Sequence, residues 1–202
     1  MSGYQEWGVW HQDPIFEAIV NKLITDLKPK RFVETGTYLA ETTRYIARKY
    51  PWLQVHSVEI RLDFFERSAI SCKFLTNVKL YCMSSPDFLK MIYDTLKDGL
   101  TVFWLDAHWW EYVPLRDECK IIATLDKYVA ILDDFASNNP RFGGDVFAGG
   151  HENNLSYVAD ILGKKCCVPN YPSFPPYNKG YGIFIKGVDY PCPEKMREET
   201  IP

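Results

Sequence analysis

Residues 31–43 read RFVETGTYLAETT and carry the pattern of one α/β unit. A short apolar run, residues 31–34, leads into Thr35-Gly36-Thr37 and predicts a strand that enters a tight turn. Residues 41–50 follow with helical spacing and stop before Pro51, because a residue that precedes proline disfavours the helical conformation. The stretch therefore predicts a strand, a turn and a helix in succession.

The same alternation of strand and helix recurs on both sides of this unit. The runs TVFWL (residues 101–105) and YVAIL (residues 128–132) are apolar throughout, as expected when helices cover both faces of a parallel sheet. The sequence thus predicts an α/β fold, with a doubly wound, mostly parallel, Rossmann-like sheet and helices on both faces. The other predicted elements are strands at residues 54–60 and 78–82 and helices at residues 15–27, 62–74, 85–97 and 114–125.

The composition excludes several classes of partner. Lys and Arg number 23 against 26 Asp and Glu, so the net charge of -3 does not favour a broad nucleic-acid footprint. No apolar run approaches the roughly 18 residues of a membrane-spanning helix, and the first residues lack the pattern of an export signal. Six cysteines without a Cys-x-x-Cys pair predict free thiols in a reducing compartment. We expect a cytoplasmic protein that binds neither nucleic acid nor membrane.

Acidic residues stand at the ends of four predicted strands. Glu34, Glu59 and Asp106 each close one strand, and Asp133 and Asp134 close a fourth. In doubly wound sheets, ligands bind outside the carboxyl ends of the strands, near the point where the strand order reverses. The sequence therefore predicts a binding site at this edge.

The turn around Gly36 has the position and composition of a nucleotide-binding turn. Gly36 allows a close backbone approach, and the following helix offers its N-terminal amides. Glu59 stands at the tip of the next strand, where an acidic side chain can accept hydrogen bonds from both ribose hydroxyls. The three spaced glycines of a dinucleotide site and the Gly-Lys-Ser/Thr of a phosphate loop are both missing.

Taken together, residues 32–59 resemble the first two motifs of class I S-adenosylmethionine (SAM)-dependent methyltransferases. In that family an acidic-x-Gly turn holds the methionine portion of SAM, and a second acidic residue holds the ribose. MSSPDFL at residues 83–89 is similar to the segment that borders the adenine, with Met83-Ser84 in place of the usual Gly-Asp. Ala40 stands where relatives often have a second glycine. FWLDAHW (103–109), PLRDE (114–118) and ILDDF (131–135) resemble the macrocin and novobiocin-type O-methyltransferases, several of which use a divalent metal.

This resemblance implies a single methyltransferase-like domain that transfers a methyl group from SAM to a hydroxyl of a small molecule or sugar. Residues 1–30 form an N-terminal helical segment and residues 31–135 the cofactor-binding core. Residues 136–202 supply substrate-side loops, a last strand at residues 181–186 and a loose tail from Pro191. The implied cofactor-binding residues are Glu34, Thr35, Gly36, Thr37, Tyr38, Thr42, Glu59, Ser85 and Asp106.

Asp106, Asp133 and Asp134 are expected at the ends of two adjacent strands. Three carboxylates at that spacing repel one another unless one is protonated or a cation bridges them. Oxygen ligands suit Mg²⁺ or another divalent cation, which would bind a substrate hydroxyl and lower its pKa. The alternative is that Asp133 ends the strand and Asp134 begins a turn, without a metal.

His108 and Asp106 are the candidate catalytic residues. The ordinary pKa of a histidine suits a base that accepts the hydroxyl proton, and the alternative is a hydrogen-bonded structural histidine. His151 is a further candidate base. Trp109, Trp110 and Tyr112 are candidates for an acceptor wall or for simple packing.

Two other functions remain open on this sequence. A nicotinamide-dependent Rossmann oxidoreductase would share the predicted sheet, but its spaced glycines and a Tyr-x-x-x-Lys pair are not present. A non-catalytic relative would bind the nucleoside, or nothing, and act through its aromatic surface. Binding of SAM, S-adenosylhomocysteine (SAH) or NAD distinguishes the three functions.

Overall fold

One sheet of eight strands runs through the residues that the computed structural model describes, which are 8–108, 111–172 and 178–202. The strands in chain order are β1 (Arg31–Thr35), β2 (Gln54–Glu59), β3 (Val78–Cys82), β4 (Thr101–Leu105), β5 (Tyr128–Leu132), β6 (Lys165–Pro169), β7 (Gly182–Lys186) and β8 (Met196–Thr200). The helices are α1 (Pro14–Leu27), α2 (Glu41–Lys49), α3 (Leu62–Cys72), α4 (Ser85–Met91), α5 (Tyr93–Lys97), α6 (Leu115–Ile122) and α7 (Leu155–Leu162).

The strands lie in the order β3-β2-β1-β4-β5-β7-β6-β8. Neighbours among β1 to β5 are parallel, whereas β7 runs antiparallel to both β5 and β6, and β8 runs antiparallel to β6. The chain reverses its direction of winding between β1 and β4, which is the switch point at which such sheets bind ligands. The predicted doubly wound, mostly parallel sheet is confirmed.

Helices cover both faces of the sheet because successive residues of each central strand point to opposite sides. In β4, Val102 and Trp104 pack with α1 and α2, whereas Phe103 and Leu105 pack with α4, α5, α6 and α7. β5 alternates in the same way, and all its residues are buried. This two-sided burial explains why both strands are apolar throughout.

The carboxyl-terminal part holds two strands that the sequence does not predict, β6 and β8. The predicted strand at residues 181–186 is confirmed as β7, but it is not the last strand, and the tail from Pro191 is not loose. β8, with the sequence MREET, pairs along its length with β6 at the edge of the sheet. Charged residues are typical of edge strands, so β8 carries no apolar run that would identify it.

The chain enters α1 through a left-handed turn at Val9–Gln12. Trp10, His11 and Gln12 have φ angles of 51°, 53° and 61°, a conformation that costs an L-residue about 1–2 kcal/mol. Packing offsets this cost, because the Trp10 ring is 1% exposed and lies edge-on to Trp104 with centroids 4.6 Å apart. The Trp10 carbonyl also accepts a hydrogen bond of 2.9 Å from the Tyr181 hydroxyl. The N-terminal segment therefore contributes a strained turn as well as a helix.

Two features bear on the environment of the protein. All six cysteines are free thiols in the structure. Cys72, Cys119, Cys166 and Cys167 are buried in the core, where packing rather than reactivity accounts for them. Within the described ranges, every helix is too short or too polar to cross a membrane.

Asp13 links the left-handed turn to α1, and its replacement tests that link. Its Oδ1 accepts hydrogen bonds of 2.9 Å from the amides of Ile15 and Phe16, and its Oδ2 accepts one of 2.8 Å from the Tyr171 hydroxyl. Asp13→Ala removes the helix cap and leaves a buried hydroxyl without this partner. We expect the free energy of unfolding, measured in urea, to fall by about 2–3 kcal/mol.

Asp13→Asn is the matched control, because an amide oxygen can still cap the helix. Its loss of stability should be clearly smaller. Equal losses for the two variants would show that the cap contributes nothing.

Candidate active site

A cavity of about 650 Å³ opens at the carboxyl ends of β1, β2, β4 and β5. It therefore lies at the switch point of the sheet, as the acidic strand ends predict. The left-handed turn and the first residues of α2 close one side of it. The predicted site residues that line it are Glu34, Gly36, Thr37, Tyr38, Thr42, Glu59, Ser85, Asp106, His108, Asp133 and Asp134.

Gly36 sits where the turn after β1 meets the end of β4. Its φ is +84°, and a Cβ atom at this position would lie 2.4 Å from the carbonyl oxygen of Asp106. Its amide donates to the carbonyl of Val58 on β2 at 2.9 Å. The glycine is thus required for the packing of two strand ends against each other, in addition to any contact with a ligand.

Glu59 presents an oriented carboxylate at the end of β2. Its Oε2 accepts a hydrogen bond of 2.9 Å from the amide of Tyr38, and its Oε1 accepts one of 2.9 Å from the amide of Arg61. The residue is 7% exposed. Two backbone donors fix the carboxylate so that its remaining lone pairs can accept further hydrogen bonds.

Glu34 is buried beneath the same turn. Its Oε2 accepts hydrogen bonds from the hydroxyls of Ser57, at 2.5 Å, and Thr43. Burial raises the pKa of Glu34 to about 7, although the two hydroxyls lower it in part. The side chain therefore supports the turn from below and can carry a proton near neutral pH.

Thr35, Thr37 and Ser85 occupy three different environments. Thr35 is fully buried, accepts a hydrogen bond of 3.3 Å from the amide of Asp106, and does not reach the cavity wall, so its role in cofactor binding stays a prediction. The Thr37 hydroxyl lies 2.6 Å from that of Ser57. Ser85 is buried and lines the cavity, while Ser84 caps α4. Ser84 thus stabilises the start of α4.

Glu118 on α6 lies behind this part of the cavity and is 1% exposed. Burial raises its pKa to about 7, and the hydroxyls of Ser85 and Thr35 lower it in part. Its Oε1 has no hydrogen-bond partner among the described residues. An ionised Glu118 is therefore unfavourable in the folded protein.

The other end of the cavity collects charged side chains from distant parts of the chain. His11 Nε2 lies 2.8 and 2.9 Å from the two carboxylate oxygens of Asp133, which is fully buried. His108 Nε2 lies 3.3 Å from Asp134 Oδ2 and 3.5 Å from Asp145 Oδ2. Lys179 adds a further positive charge at this end and donates a hydrogen bond to Asp145.

The carboxylates strongly perturb the neighbouring groups. Burial raises the pKa of Asp106 well above its usual range, and the charge of Asp133 raises it further. Burial lowers the pKa of His11, but the charges of Asp133, Asp134 and Asp106 outweigh it and raise the value to about 10. Burial likewise lowers the pKa of His108, and its contacts with Asp134 and Asp145 raise it well above 6.5. The neighbouring carboxylates therefore favour the protonated form of both imidazoles, and a protonated His108 must lose its proton before acting as the predicted base.

Two groups of side chains bring potential metal ligands together. The ligand atoms of His11, Asp133 and Asp134 all lie within 4.8 Å of one another, and so do those of His108, Asp134 and Asp145. Asp106 belongs to neither group among the described residues. The structure thus groups Asp133 and Asp134 with the imidazole of His11, while Asp106 interacts with both carboxylates through its charge but lies outside this group, so the metal site of three carboxylates stays a prediction.

Some candidate residues lie elsewhere. Trp109 and Trp110 fall outside the described residues. Tyr112 lines the cavity, whereas His151 is exposed on its loop and does not. Sequence reasoning missed His11, Asp145 and Lys179, since none stands at a predicted strand end; the capping Asp13 marks the start of α1 but says nothing of the histidine before it.

Solved structures of O-methyltransferases resemble this chain in fold. The O-methyltransferase TomG from Streptomyces achromogenes, involved in tomaymycin synthesis and solved with SAM, has a TM-score of 0.62 at 14% identity and covers 87% of this chain and 81% of its own. An O-methyltransferase from Bacillus cereus in complex with SAH has a TM-score of 0.62 at 15% identity, over 86% of this chain and 81% of its own. A protein from Nostoc punctiforme has a TM-score of 0.55 at 11% identity over 83% of this chain.

This chain spans 54%, about half, of the Nostoc punctiforme protein's length. No protein-family model and no curated protein sequence matches the chain. At such identities the likeness shows the fold. The chain has the same Rossmann-like fold as these solved O-methyltransferases, as the sequence predicts.

The raised pKa of Glu118 predicts a specific pH dependence of stability. The proton is held more tightly in the folded state than in the unfolded state, so this contribution is complete below about pH 4.5 and is lost as the pH rises through about 7. Glu118→Gln replaces the carboxyl with an amide that does not ionise, so the stability of the variant does not fall in this way as the pH rises. The stability of the variant relative to the wild type should therefore rise by about 2–3 kcal/mol between pH 5 and pH 8 in urea denaturation.

The exposed Glu66 provides the control, because Glu66→Gln also removes one negative charge. This variant should follow the wild type at every pH. A Glu118→Gln curve parallel to the wild type would contradict the assignment of a buried, protonated carboxyl.

Proposed function

We propose that this protein is a SAM-dependent methyltransferase that methylates a hydroxyl of a small, polyhydroxylated molecule. The observation that carries the proposal is one cavity with two chemically different ends. One end combines Gly36, Glu59 and Ser85, and the other collects carboxylates and imidazoles. The ends meet at Asp106, whose backbone touches the Gly36 turn. The fold of the class I methyltransferases supports this assignment.

The Gly36 end suits a nucleoside. Glu59, held by two backbone amides, would accept hydrogen bonds from both ribose hydroxyls. Met83 and Ser85 line the wall where the adenine would lie, and the turn from Glu34 to Tyr38 would hold the methionine portion. When bound, SAM supplies an electrophilic methyl group, which the acceptor oxygen takes as the bond to sulfur breaks and a proton is released.

The carboxylate end suits a hydroxylated acceptor. Carboxylates accept hydrogen bonds from hydroxyls, and protonated His108 donates one, so this end can orient an acceptor on several sides. Holding the acceptor oxygen in line with the methyl carbon supplies much of the rate enhancement in such transfers. Asp106 lies between the two ends. Its raised pKa makes it a stronger base than an ordinary carboxylate, so in its ionised form it can receive the proton that the acceptor oxygen loses.

The carboxylate end also fits a divalent cation. Asp134 Oδ1 is inaccessible to solvent and has no hydrogen-bond partner among the described residues, which suits an oxygen that binds a ligand. We propose that Asp133 and Asp134, with Asp106 nearby, hold the cation. It would bind the acceptor hydroxyl and lower its pKa. We place the reaction in the cytoplasm, where free thiols such as these six persist.

Titration with SAH tests the cofactor end. Glu59→Ala should weaken SAH binding about ten-fold or more, because a hydrogen bond to a charged group contributes roughly 1.5–3 kcal/mol. Isothermal titration calorimetry measures the dissociation constant. Glu66→Ala on the exposed face of α3 is the matched control and should bind SAH like the wild type. An unchanged constant for Glu59→Ala removes the ribose assignment, and tight binding of NAD instead of SAH would favour an oxidoreductase.

Removal of metal tests the acceptor end. With a panel of free and nucleotide-linked hexoses as acceptors, SAH release from SAM should stop in EDTA and return with added Mg²⁺ or Mn²⁺. Asp133→Asn should lose turnover by at least about ten-fold while binding SAH as the wild type does, because the cation would hold the acceptor and not the cofactor. Full turnover in EDTA would exclude a required metal.

A further inference from the structure

We infer that His11 is a metal ligand, and that a divalent transition-metal cation binds between His11, Asp133 and Asp134. The inference rests on the proposed function, because it identifies the cation of the acceptor end and the ligands that hold it. It differs from the expected set of three carboxylates by replacing Asp106 with an imidazole from the N-terminal turn.

The separations of the three side chains suit a shared cation. His11 Nε2 lies 2.8 Å from Asp133 Oδ2 and 3.6 Å from Asp134 Oδ1. A cation held at about 2.0–2.2 Å from each ligand, with tetrahedral angles, keeps neighbouring ligand atoms about 3.3–3.6 Å apart. The distance from His11 to Asp134 matches this spacing, and the Asp133 carboxylate would have to move about 0.5 Å away from His11 to reach it. All three ligand atoms already lie within 4.8 Å of one another.

The burial of these three side chains also favours a cation between them. The Asp133 carboxylate is fully buried, and the side chains of His11 and Asp134 are 17% and 16% exposed. Asp134 Oδ1 faces this cluster without a hydrogen bond from the described residues. A buried carboxylate oxygen in this state is costly, and a cation satisfies it.

The second cluster is less suitable. Lys179 already donates a hydrogen bond to Asp145, which is one of the potential ligands there. An ammonium group beside a ligand oxygen repels a metal ion and reduces the charge available to bind it. Lys179 also interacts with Asp133 and Asp134 through its charge, but among the described residues its ammonium group donates a hydrogen bond to neither of them.

The N-terminal turn holds His11 in position. Trp10, His11 and Gln12 keep an unfavourable left-handed backbone, which the burial of Trp10 against Trp104 stabilises. Asp134 also has a left-handed φ of 49°. The His11 ring further stacks on Tyr181, with centroids 6.2 Å apart. The imidazole therefore approaches Asp133 on a rigid support, as a metal ligand requires.

The ligand set predicts the class of metal. Imidazole binds first-row transition metals better than it binds Mg²⁺, whereas oxygen ligands alone suit Mg²⁺ and Ca²⁺. One imidazole with two carboxylates thus favours cations such as Mn²⁺, Fe²⁺ or Zn²⁺. We expect Mn²⁺ to bind at least about ten-fold more tightly than Mg²⁺, and His11 to be the source of that preference.

Titration of the full chain with Mn²⁺, followed by electron paramagnetic resonance of the free ion, tests the inference without any acceptor. His11→Ala should weaken Mn²⁺ binding at least about ten-fold, and so should His11→Gln, whose side chain fills more of the space of the imidazole than alanine does. Circular dichroism should show that both variants are folded. His151→Ala is the matched control, since His151 is exposed and in neither cluster. His108→Ala removes a contact to Asp134 Oδ2 and leaves His11 and Asp134 Oδ1 in place, so it should weaken Mn²⁺ binding much less than the His11 variants do.

Three results would overturn the inference. They are the absence of Mn²⁺ binding by the wild type, an unchanged affinity in both His11 variants, and a loss in His108→Ala in place of the His11 variants. SAH titration of the same samples separates this outcome from the proposed function. If the protein binds SAH but not Mn²⁺, the proposed methyltransferase function stands and the His11 metal site is wrong. If it binds Mn²⁺ but not SAH, the metal site stands and the proposed function is wrong.

Discussion

The approach of the turn after β1 to the end of β4 is the contact on which the rest of the site depends. A Cβ atom at position 36 would lie 2.4 Å from the carbonyl oxygen of Asp106, so the two strand ends meet only because residue 36 is glycine. This contact lies at the switch point, where neighbouring loops diverge and a cavity opens. It also joins the nucleoside-like end of the cavity to the carboxylate end, with Asp106 between them.

Repulsion between buried carboxylates governs the chemistry of the second end. Parallel strands deliver Asp106 and Asp133 to one edge, and Asp134 follows directly. Their charges are compensated by imidazoles at His11 and His108, both of which gain protons as a result. A cation between His11 and Asp133 would take over the same electrostatic role. The site therefore looks strongly acidic in the sequence, whereas in the structure imidazole groups compensate much of the negative charge of its carboxylates.

Long-range packing supports the strained N-terminal turn. The Trp10 ring packs on Trp104 of β4, and its carbonyl accepts from Tyr181 at the start of β7. Asp13, the next anchor, accepts from Tyr171. These contacts place a segment from the beginning of the chain over a cavity formed by its middle, and they stabilise a backbone conformation that local preferences oppose.

Much of this protein follows from local sequence patterns. The apolar runs of β4 and β5, the Gly36 turn and the acidic strand ends were sufficient to predict the parallel part of the sheet, the helices that cover it and the edge at which the cavity opens. These features depend on residues close in the chain, whose periodicity and turn chemistry reflect their secondary structure. Glu59 was predicted in the same way, from its place at the tip of a strand.

Contacts between segments that are far apart in the chain determine the features that local patterns did not predict. β8 is a charged edge strand whose pairing with β6 has no local signal, and His11, Asp145 and Lys179 reach the cavity from segments without regular spacing. The pKa values of the acidic and imidazole groups likewise depend on burial and on neighbours far away in the chain. The sequence pattern therefore located the edge of the sheet at which the cavity opens. The packing of distant segments brought His11 and Lys179 to that edge and raised the pKa values of both imidazoles. Sequence alone could not predict this, because burial and charge interactions act through space and not along the chain.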